Sequence, residues 1–298
     1  MSLRLIGYKG FLTRHILTYF SDVSLIDLSD EKFSDVQDIE CNAAIFLTEK
    51  AKISILDKEL FYRHALNQLK EAYTAFLKSE TTNIFIYIGS ISVLEEVSSS
   101  HPLLEDELYN GYSRYAKHNQ EVEKWLCDQN LPIGKRLYIL RKPLVYGNNC
   151  DGKIRILFNL IKLGIPYPLG NFDNKLSFIS VKNLCFIISQ LLDKHSVVAS
   201  GIYNVADDDP VSMNHIVDMI YSVLNKRNLK FSLPQDLLSL ITKLRITNSV
   251  KYKKLTSDFL ISNAKIKDAL KIDTLPYLSK NEIYNTIISL KNSGGKND

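Results

Sequence analysis

The sequence predicts an α/β fold in which a doubly wound parallel sheet carries a smaller mixed α/β lobe in the C-terminal half of the chain. Two observations support this fold class. Short apolar runs alternate with longer segments of helical spacing up to about residue 150, and such a strand–helix–strand alternation builds a parallel sheet. Beyond residue 150 the rhythm changes to helices separated by short strands and turn residues, which is typical of an added lobe.

The elements of the first half follow in order along the chain. Runs rich in Ile, Leu, Val, Phe and Tyr predict buried strands, and these are LRLIG (3–7), VSLIDL (23–28), AAIFLT (43–48), NIFIYIGS (83–90) and RLYILRKPLVYG (136–147). Helical spacing predicts helices in FLTRHILTYF after the first strand, over 57–79 and over 111–128. We expect Pro143 to end the strand that begins at residue 136, because proline cannot donate to a ladder.

The change of rhythm also predicts the domain organisation. Residues 1–150 are expected to form the sheet domain, and residues 151–290 a lobe on the carboxyl edge of the sheet, some segments of which return to it. Residues 291–298, KNSGGKND, are expected to form a flexible tail. The run DDDP at 207–210 predicts a turn before Ser212, a good N-cap for the helix that follows.

Composition limits the class of protein. The 298 residues are 45% hydrophobic, enough for a large core, and the net charge of +4 is spread without a basic run, so nucleic acid is not an expected partner. The four cysteines lie far apart without histidines at ligand spacing, which predicts reduced thiols and no metal site. There is no signal-peptide pattern and no apolar run near the roughly 18 residues of a membrane span. We therefore expect a cytoplasmic protein.

A glycine-rich turn follows the first strand directly. In GYKGFLT, Gly7 permits a tight turn and Gly10 lets backbone amides approach a pyrophosphate at the positive N-terminus of a helix. Asp27 lies 20 residues beyond Gly7 at the end of the second strand, where a carboxylate can accept hydrogen bonds from a ribose diol and repels a 2′-phosphate. The alternative is a helix cap followed by a solvated aspartate. The context of strand, glycines and helix favours a dinucleotide, with NAD preferred over NADP.

Five segments together resemble the extended short-chain dehydrogenase/reductase family: GYKGFLTRHIL, YIGSISVL, YAKHNQEVEKWL, RKPLVYG and LSFISVKNL. The likeness is to its nucleotide-sugar members, which are epimerases, dehydratases and 4-keto reductases of bacterial surface-polysaccharide synthesis. It runs from about residue 3 to about residue 290, and Ser90 and Tyr115 have the 25-residue separation common in UDP-sugar epimerases. The resemblance implies a Rossmann-type sheet, a bound NAD and a UDP-sugar substrate, and it is compatible with a homodimer.

The resemblance also implies a chemistry for Ser90 and Tyr115. In such enzymes a nicotinamide accepts hydride from C4 of the sugar while a tyrosine removes the proton of the C4 hydroxyl, and a serine orients that hydroxyl. Tyr115 would be the base and Ser90 the orienting group. The alternatives are a strand-end serine bonded to a local backbone group and a helical tyrosine packed in the core. The resemblance further places Phe11, Leu12 and Pro143 in the cofactor site.

The chain departs from the family at the lysine four residues after the tyrosine. That lysine binds the nicotinamide ribose and holds an ammonium near the phenol, whereas this chain has Asn119. An unperturbed tyrosine titrates near 10, so about one phenol in a thousand is ionised at neutral pH. Asn119 could bond a ribose but carries no charge, Lys117 points about 200° away, and His118 lies near the correct face. A protonated His118 is the candidate source of the missing charge, against the alternative of an ordinary half-buried histidine.

Other departures concern packing and substrate binding. Thr13 replaces the third glycine of the family's turn and adds volume where the first helix packs on the sheet. Only about 15 residues precede AAIFLT after the second strand, so we expect one edge strand to be missing. Leu176 stands where the family often has an arginine that grips the diphosphate. Asn174 and Lys175 are the nearest candidates for that role, and a solvated turn is the alternative.

Two functions follow. The first is an NAD-dependent 4-epimerase or 4-keto reductase of a UDP-hexose or UDP-N-acetylhexosamine, acting by hydride transfer at C4. The second is a weakened relative that binds NAD or a nucleotide sugar as a binding or regulatory module. Ser90 and Tyr115 favour the first, while Asn119, Thr13 and Leu176 favour the second.

Overall fold

The central feature of the fold is a six-stranded parallel sheet in this computed structural model, which describes residues 2–29, 41–47, 58–233, 253–254 and 256–293. The strands are β1 (Leu3–Gly7), β2 (Val23–Asp27), β3 (Ala43–Leu47), β4 (Ile84–Ser90), β5 (Arg136–Lys142), β6 (Leu144–Tyr146), β7 (Lys175–Leu176), β8 (Phe178–Ser180), β9 (Gly201–Asn204) and β10 (Val211–Ser212). The helices are α1 (Phe11–Tyr19), α2 (Lys58–Lys78), α3 (Arg114–Cys127), α4 (Lys153–Lys162), α5 (Val181–Asp193), α6 (Met213–Leu224), α7 (Ala264–Leu270) and α8 (Ser279–Ser293).

The strand order of the sheet is β2-β1-β3-β4-β5-β9, and each neighbouring pair is parallel. The chain therefore leaves β1 toward one edge and returns on its other side, which is the reversal that defines a doubly wound sheet. The predicted fold class is confirmed. Among the described residues the sheet ends at β2. Residues 30–40, on which the expected loss of an edge strand depends, lie outside the described part.

Both faces of the sheet are buried, as a parallel sheet requires. Alternate residues of β4 point to opposite faces. Ile84, Ile86 and Ile88 belong to the core beneath α1 and α5, whereas Phe85 and Tyr87 belong to the core beneath α2 and α3. The continuous apolar run of β4 thus reflects a strand covered by helices on both sides.

The second half of the chain contributes to the central sheet and also builds a separate core. Strand β9 pairs with β5, and α5 packs with α1 on the first face. Strand β5 ends before Pro143, as expected, and the chain resumes as β6, which pairs with β8, while β7 pairs with β10. Helices α4, α6 and α8 bury a third apolar cluster beside these small sheets.

The C-terminal helix is longer than the sequence suggested. Helix α8 includes Lys291–Ser293, which the sequence predicts to belong to the tail, and Ser293 Oγ donates to the Leu290 carbonyl. The remaining tail, residues 294–298, lies outside the described part. Within the described ranges, no helix has both the length and the apolar composition needed to cross a bilayer.

Candidate active site

A cleft of about 1150 Å³ opens at the carboxyl edge of the sheet, at the reversal of strand order. Such a reversal separates the loops that follow neighbouring strands and leaves room for a ligand. Segments far apart in sequence line the cleft, and these are 8–12, 90–92, 95–97, 142–145, 151–153 and 176–178, together with Arg14, Ser29, Tyr115, Lys254 and Phe259. Its volume is sufficient for a ligand larger than most single small molecules.

Gly7 and Gly10 have different structural roles in the first turn. A Cβ on Gly7 would lie 2.8 Å from the Leu47 carbonyl oxygen, so this glycine permits the close approach of β3 and is not needed for a left-handed turn. Gly10 is the N-cap of α1 and provides no side-chain cap. Gly10, Phe11 and Leu12 line the cleft, so the positive N-terminal end of α1 borders the space where an anionic ligand could bind.

Thr13 does not disturb the packing of α1, contrary to the sequence-based concern. Its side chain is fully buried, and its Oγ1 donates to the Tyr8 carbonyl at 2.6 Å. The hydroxyl thus closes the turn between β1 and α1 from inside. The space that a third glycine would leave is filled by a side chain with a bonding partner.

Asp27 lies at the end of β2 close to the cleft, as its position in the sequence suggested. Its carboxylate accepts from the backbone N–H and the Oγ of Ser29, and Lys9 Nζ lies 2.9 Å from its Oδ2. Burial alone would raise the pKa of Asp27, but the bonds from Ser29 and Lys9 outweigh it and lower the pKa. Asp27 is therefore an ionised acceptor at neutral pH.

Ser90 and Tyr115 line the same cleft. Ser90 is the last residue of β4, and its Oγ accepts from the backbone N–H and the hydroxyl of Ser92. Among the described residues its own hydroxyl proton has no acceptor, so it can donate to a ligand. The Tyr115 hydroxyl likewise has no hydrogen-bond partner in the described part of the chain.

A dense set of bonds holds the start of α3 against the loop after β4. Gly111 packs so closely that a Cβ would lie 2.0 Å from the Ser92 carbonyl oxygen. Gln120 Nε2 donates to the carbonyls of Val93 and Gly111, and Glu96 accepts from the backbone N–H groups of 112 and 113. These contacts couple the position of Tyr115 to that of Ser90. Sequence reasoning used the spacing of the pair but missed these supporting residues.

Asn119 does not line the cleft, and the structure gives no support to a bond between Asn119 and a ribose. The residue is 1% exposed. Its Nδ2 donates to the Tyr115 carbonyl at 2.8 Å, and its Oδ1 accepts from the Tyr87 hydroxyl at 3.0 Å. Asn119 therefore ties α3 to β4 inside the protein.

His118 cannot supply the missing positive charge, which corrects the second sequence-based suggestion. The ring is buried and stacks on Tyr62 with centroids 4.9 Å apart. Burial lowers the pKa of His118 to about 4, because the charged form loses its hydration. At neutral pH the ring is neutral, and it does not line the cleft.

Lys142 and Pro143 line the cleft where β5 ends. Pro143 was assigned to the cofactor site from the sequence, and its place in the cleft wall is compatible with that role. Lys142 was not singled out. Its Cα is the register partner of Ser90, since β4 and β5 pair over their full lengths.

Asn174 and Lys175 are not among the residues that line the cleft, and their grip on a diphosphate stays a prediction. Asn174 Nδ2 donates to the Ser257 carbonyl, and the Lys175 backbone N–H donates to Asp258. Both residues anchor the segment around residue 258. The contribution of this region to the cleft is the neighbouring Leu176, which is buried.

Two other lysines line the cleft. Lys153 begins α4, and Lys254 lies in the second half of the chain near Phe259. Burial of its amine lowers the pKa of Lys153, and the charge of Lys254 lowers it further. Two like charges that perturb one another create a site that favours an anion.

A buried ion pair joins the two elements that carry Tyr115 and Lys142. Arg141 Nη2 lies 2.9 Å from Glu123 Oε2, and both side chains are almost fully buried. Tyr109 donates to the same carboxylate, and Arg141 donates to the Glu105 carbonyl. Burial raises the pKa of Glu123 despite its bonds to Arg141 and Tyr109. This network joins α3 to β5 next to Lys142.

The chain is similar in sequence to known enzymes. A model of the 3-beta hydroxysteroid dehydrogenase/isomerase family matches residues 61–235. A relative from Escherichia coli O157:H7, an N-acetyl-alpha-D-glucosaminyl-diphospho-ditrans,octacis-undecaprenol 4-epimerase, is 24% identical over 281 residues. The matched region covers 84% of this chain and 84% of the relative.

Solved structures share the fold over nearly the whole chain. One is a UDP-N-acetylglucosamine 4-epimerase from Methanobrevibacter ruminantium M1 in complex with UDP-N-acetylmuramic acid, with a TM-score of 0.76, 17% identity and 98% of each chain covered. Another is a UDP-glucuronic acid 4-epimerase from Bacillus cereus in complex with NAD, with a TM-score of 0.72 and 15% identity over 97% of this chain and 99% of the other. At these identities the likeness establishes the fold.

Proposed function

The chain belongs to the 3-beta hydroxysteroid dehydrogenase/isomerase family, and on this premise we propose that it is an NAD-dependent 4-epimerase of a diphosphate-linked hexose or N-acetylhexosamine. The sequence-based assignment to the extended short-chain dehydrogenase/reductase enzymes is confirmed. A 4-keto reductase needs the same arrangement of groups at C4. We favour epimerisation because the E. coli relative and both structural neighbours are named 4-epimerases.

One observation carries the proposal: Ser90 and Tyr115 line the same cleft as the uncapped N-terminus of α1. The helix N-terminus suits a pyrophosphate, and the two hydroxyls suit a sugar hydroxyl beside it. A bound nicotinamide would accept a hydride from C4 and return it to the opposite face. Hydride transfer at C4 therefore needs the cofactor site and the two hydroxyl groups in the same cleft.

The two side chains divide the proton chemistry between them. The Ser90 hydroxyl proton is available to donate to the C4 oxygen and so to orient it. Tyr115 has an unpaired hydroxyl, so its oxygen can take the C4 hydroxyl proton as hydride leaves and return it after hydride comes back. No net redox change results, because the same hydride and proton return to the sugar.

A nicotinamide dinucleotide is the cofactor class, and we propose NAD in preference to NADP. Asp27 is an ionised acceptor at the end of β2, where a ribose diol can donate to it. The negative charge of that carboxylate would repel the 2′-phosphate of NADP. Lys9 offsets part of this repulsion, so we expect discrimination to be moderate.

Lys153 and Lys254 suit the diphosphate that links the sugar to its carrier. Lysine acts on phosphate as a point charge, so it can serve where the family's arginine is absent. The rim position would leave the sugar to extend inward toward Ser90 and Tyr115. The carrier is then outside the cleft, where a nucleotide or a lipid could be accommodated.

A lipid carrier is the second candidate, and one surface favours it. Helix α4 begins at the cleft with Lys153 and buries Ile154, Phe158 and Ile161 in the third core. Its other side still exposes Ile156 by 58% and, just past its end, Leu163 by 77%. An apolar stripe leading away from a cationic rim suits a polyprenyl tail. The E. coli relative is named for such a substrate.

The test is a substrate panel with a matched pair of tyrosine variants. Purified protein with NAD⁺ is incubated with UDP-glucose, UDP-N-acetylglucosamine and N-acetylglucosaminyl-diphospho-polyprenol, and the 4-epimers are separated by chromatography. Tyr115→Phe is expected to lose about 100-fold or more of kcat, because it removes a proton-transfer group. Tyr112→Phe is the control, since Tyr112 is exposed three residues earlier and does not line the cleft.

Each result decides between named functions. Turnover of a UDP-sugar supports the nucleotide carrier, and turnover of the polyprenol substrate alone supports the lipid carrier. If NAD⁺ binds and no sugar is converted, the chain is a binding module. Equal activity of the Tyr115→Phe and Tyr112→Phe proteins would remove Tyr115 from the mechanism.

A further inference from the structure

The helix that carries Tyr115 provides no positive charge to the cleft. Asn119 is buried against Tyr87, and His118 is neutral at physiological pH. Arg114 and Lys117 are both exposed on α3, and neither lines the cleft. A phenolate forming at Tyr115 therefore needs a cation from another element of the fold.

Lys142 is placed to be that cation. It ends β5, and its Cα is the register partner of Ser90 at the end of the adjacent parallel strand. Neighbouring strands lie about 4.8 Å apart, and register partners point to the same face of a sheet. Lys142, Ser90 and Tyr115 all line the cleft, and Lys142 is half-buried.

The Lys142 ammonium is not committed elsewhere in the described part of the chain, where it forms neither a hydrogen bond nor an ion pair. The other cations of the cleft differ. Lys9 pairs with Asp27, and Lys153 and Lys254 lie together at the rim. Arg14 is exposed on α1. Lys142 is the cation nearest to Ser90 along the strand ends.

The remaining charged or titratable groups around Tyr115 make a cation more necessary. Tyr62 on α2 lies with its ring centroid 6.4 Å from that of Tyr115 and carries no charge at neutral pH. Glu95 and Glu96 line the cleft from the loop after β4, and their carboxylates accept from backbone N–H groups of that loop and of the start of α3. Asp151 lies at the rim beside Arg155. The nearby acidic groups disfavour a second negative charge.

We propose that Lys142 supplies the positive charge that stabilises the anionic oxygen at the Ser90–Tyr115 site, in place of the lysine that α3 lacks. This inference rests on the proposed function for its chemical purpose, but it concerns a property of the protein itself. The charge comes from the sheet and not from the helix. Residue 119 then does not have to carry the charge, and Asn119 instead holds α3 to β4.

The test follows the ionisation of Tyr115 without any sugar. Phenolate absorbance is recorded against pH for the full chain with NAD⁺, and the curve of the same protein carrying Tyr115→Phe is subtracted. We expect Lys142→Met to raise the titration midpoint by about one pH unit or more, a tenfold loss of phenolate at a fixed pH. Lys142→Arg keeps the charge and should stay within a few tenths of wild type.

Lys117→Met is the matched control, because it removes a lysine from α3 on the side away from the cleft. Its titration should equal that of wild type. An unchanged midpoint in Lys142→Met, or an equal shift in Lys117→Met, overturns the proposal. If Lys142→Met does not fold, as judged by its thermal transition, Lys142→Gln replaces it in the same comparison.

Activity separates this inference from the proposed function. If sugar is converted, the acid limb of kcat/KM should move to higher pH in Lys142→Met by the same amount as the phenolate midpoint. If sugar is converted but the Tyr115 titration is the same with and without Lys142, the inference about Lys142 is wrong and the proposed function stands. If the Tyr115 titration depends on Lys142 but no sugar is converted, the inference about Lys142 stands and the proposed function is wrong.

Discussion

Single side chains on α3 have roles set by the side of the helix on which they lie. Tyr115 faces the cleft, while His118 and Asn119 are buried against Tyr62 and Tyr87. The neutral state of His118 follows from burial alone, and its Nε2 has no hydrogen-bond partner among the described residues. A buried polar atom without a partner lowers stability.

His118→Phe tests this assignment. At pH 7 the variant should be as stable as wild type or more so, because phenylalanine can keep the stack on Tyr62 and removes a buried unpaired nitrogen. Since the pKa of His118 is lowered from 6.5 to about 4, the unfolded chain binds the proton first. The stability of the neutral ring is full above about pH 6.5 and is lost as the pH falls toward 4, by roughly 3 kcal/mol in total.

Urea unfolding at pH 7 and pH 4.5 measures the difference between the two proteins. His64→Gln is the control, because His64 is exposed on α2. If wild type and His118→Phe lose stability in parallel as the pH falls, His118 is charged in the folded state, and the conclusion that burial keeps its ring neutral is wrong.

At the scale of elements, the turn between β1 and α1 shows how a substituted position is accommodated. Thr13 replaces a family glycine and uses its hydroxyl to bond the Tyr8 carbonyl from a buried site. The start of α3 is held in a comparable way by Gln120 and Glu96. In both places a polar side chain orders the backbone that borders the cleft.

Thr13→Val isolates the contribution of that hydroxyl, because valine keeps the shape and the branched Cβ. The free energy of unfolding should fall by about 1–2 kcal/mol, since the Tyr8 carbonyl loses its buried donor. Thr18→Val is the matched control on the same helix, where the hydroxyl bonds the Arg14 carbonyl at an exposed site. Its effect should stay within about 0.5 kcal/mol, and equal losses in chemical denaturation would contradict the argument.

At the scale of the whole molecule, one buried carboxylate joins segments from the middle and the end of the chain. Asp207 accepts from the Tyr146 hydroxyl at 2.6 Å, from the Ser180 backbone N–H and from Asn183. Asn183 in turn donates to the Tyr277 carbonyl. The predicted cap at Ser212 is confirmed, but the preceding DDDP run is more than a turn, because its first aspartate lies in the interior.

Asp207→Asn should change how stability depends on pH. Burial raises the pKa of Asp207 from 3.8 to about 6, even though its hydrogen bonds from Asn183, Tyr146 and Ser180 oppose the shift. The folded state therefore holds the proton more tightly, and this stabilisation is full below about pH 4 and is lost as the pH rises through 6. The stability of wild type minus that of the variant should fall by about 2–3 kcal/mol between pH 4 and pH 7.

Urea unfolding across that range provides the measurement. Asp209→Asn changes an exposed neighbour and should alter stability by less than about 0.5 kcal/mol at pH 7. A difference between wild type and Asp207→Asn that stays constant with pH would show that Asp207 is ionised throughout.

Much of the fold could be predicted because its signals are local. The buried strands β3 and β4 are continuous apolar runs, and helices α2 and α3 have regular apolar spacing. Pro143 ended β5 where expected. The division into two lobes stays a proposal, since β9 and α5 join the first core while α4, α6 and α8 form another.

The site was predictable only in part. Ser90 and Tyr115 stay proposed catalytic groups, and both line the cleft with Gly10, Phe11, Leu12 and Pro143. Asn174 and Lys175 do not line it, because their bonds hold the segment near residue 258. The cations that line the cleft come from other parts of the chain, and these are Lys9, Arg14, Lys142, Lys153 and Lys254.

By itself the sequence determined the parallel sheet, the glycine turn and the spacing of Ser90 and Tyr115. These features depend on residues close together in the chain, since apolar side chains recur every two residues in a strand and every 3.6 residues in a helix. The tertiary structure alone decided which groups meet in the cleft. Burial made His118 neutral and turned Asn119 inward, and the register of β4 with β5 brought Lys142 beside Ser90. Charge and solvation depend on what packs around a group, and those neighbours come from distant parts of the chain.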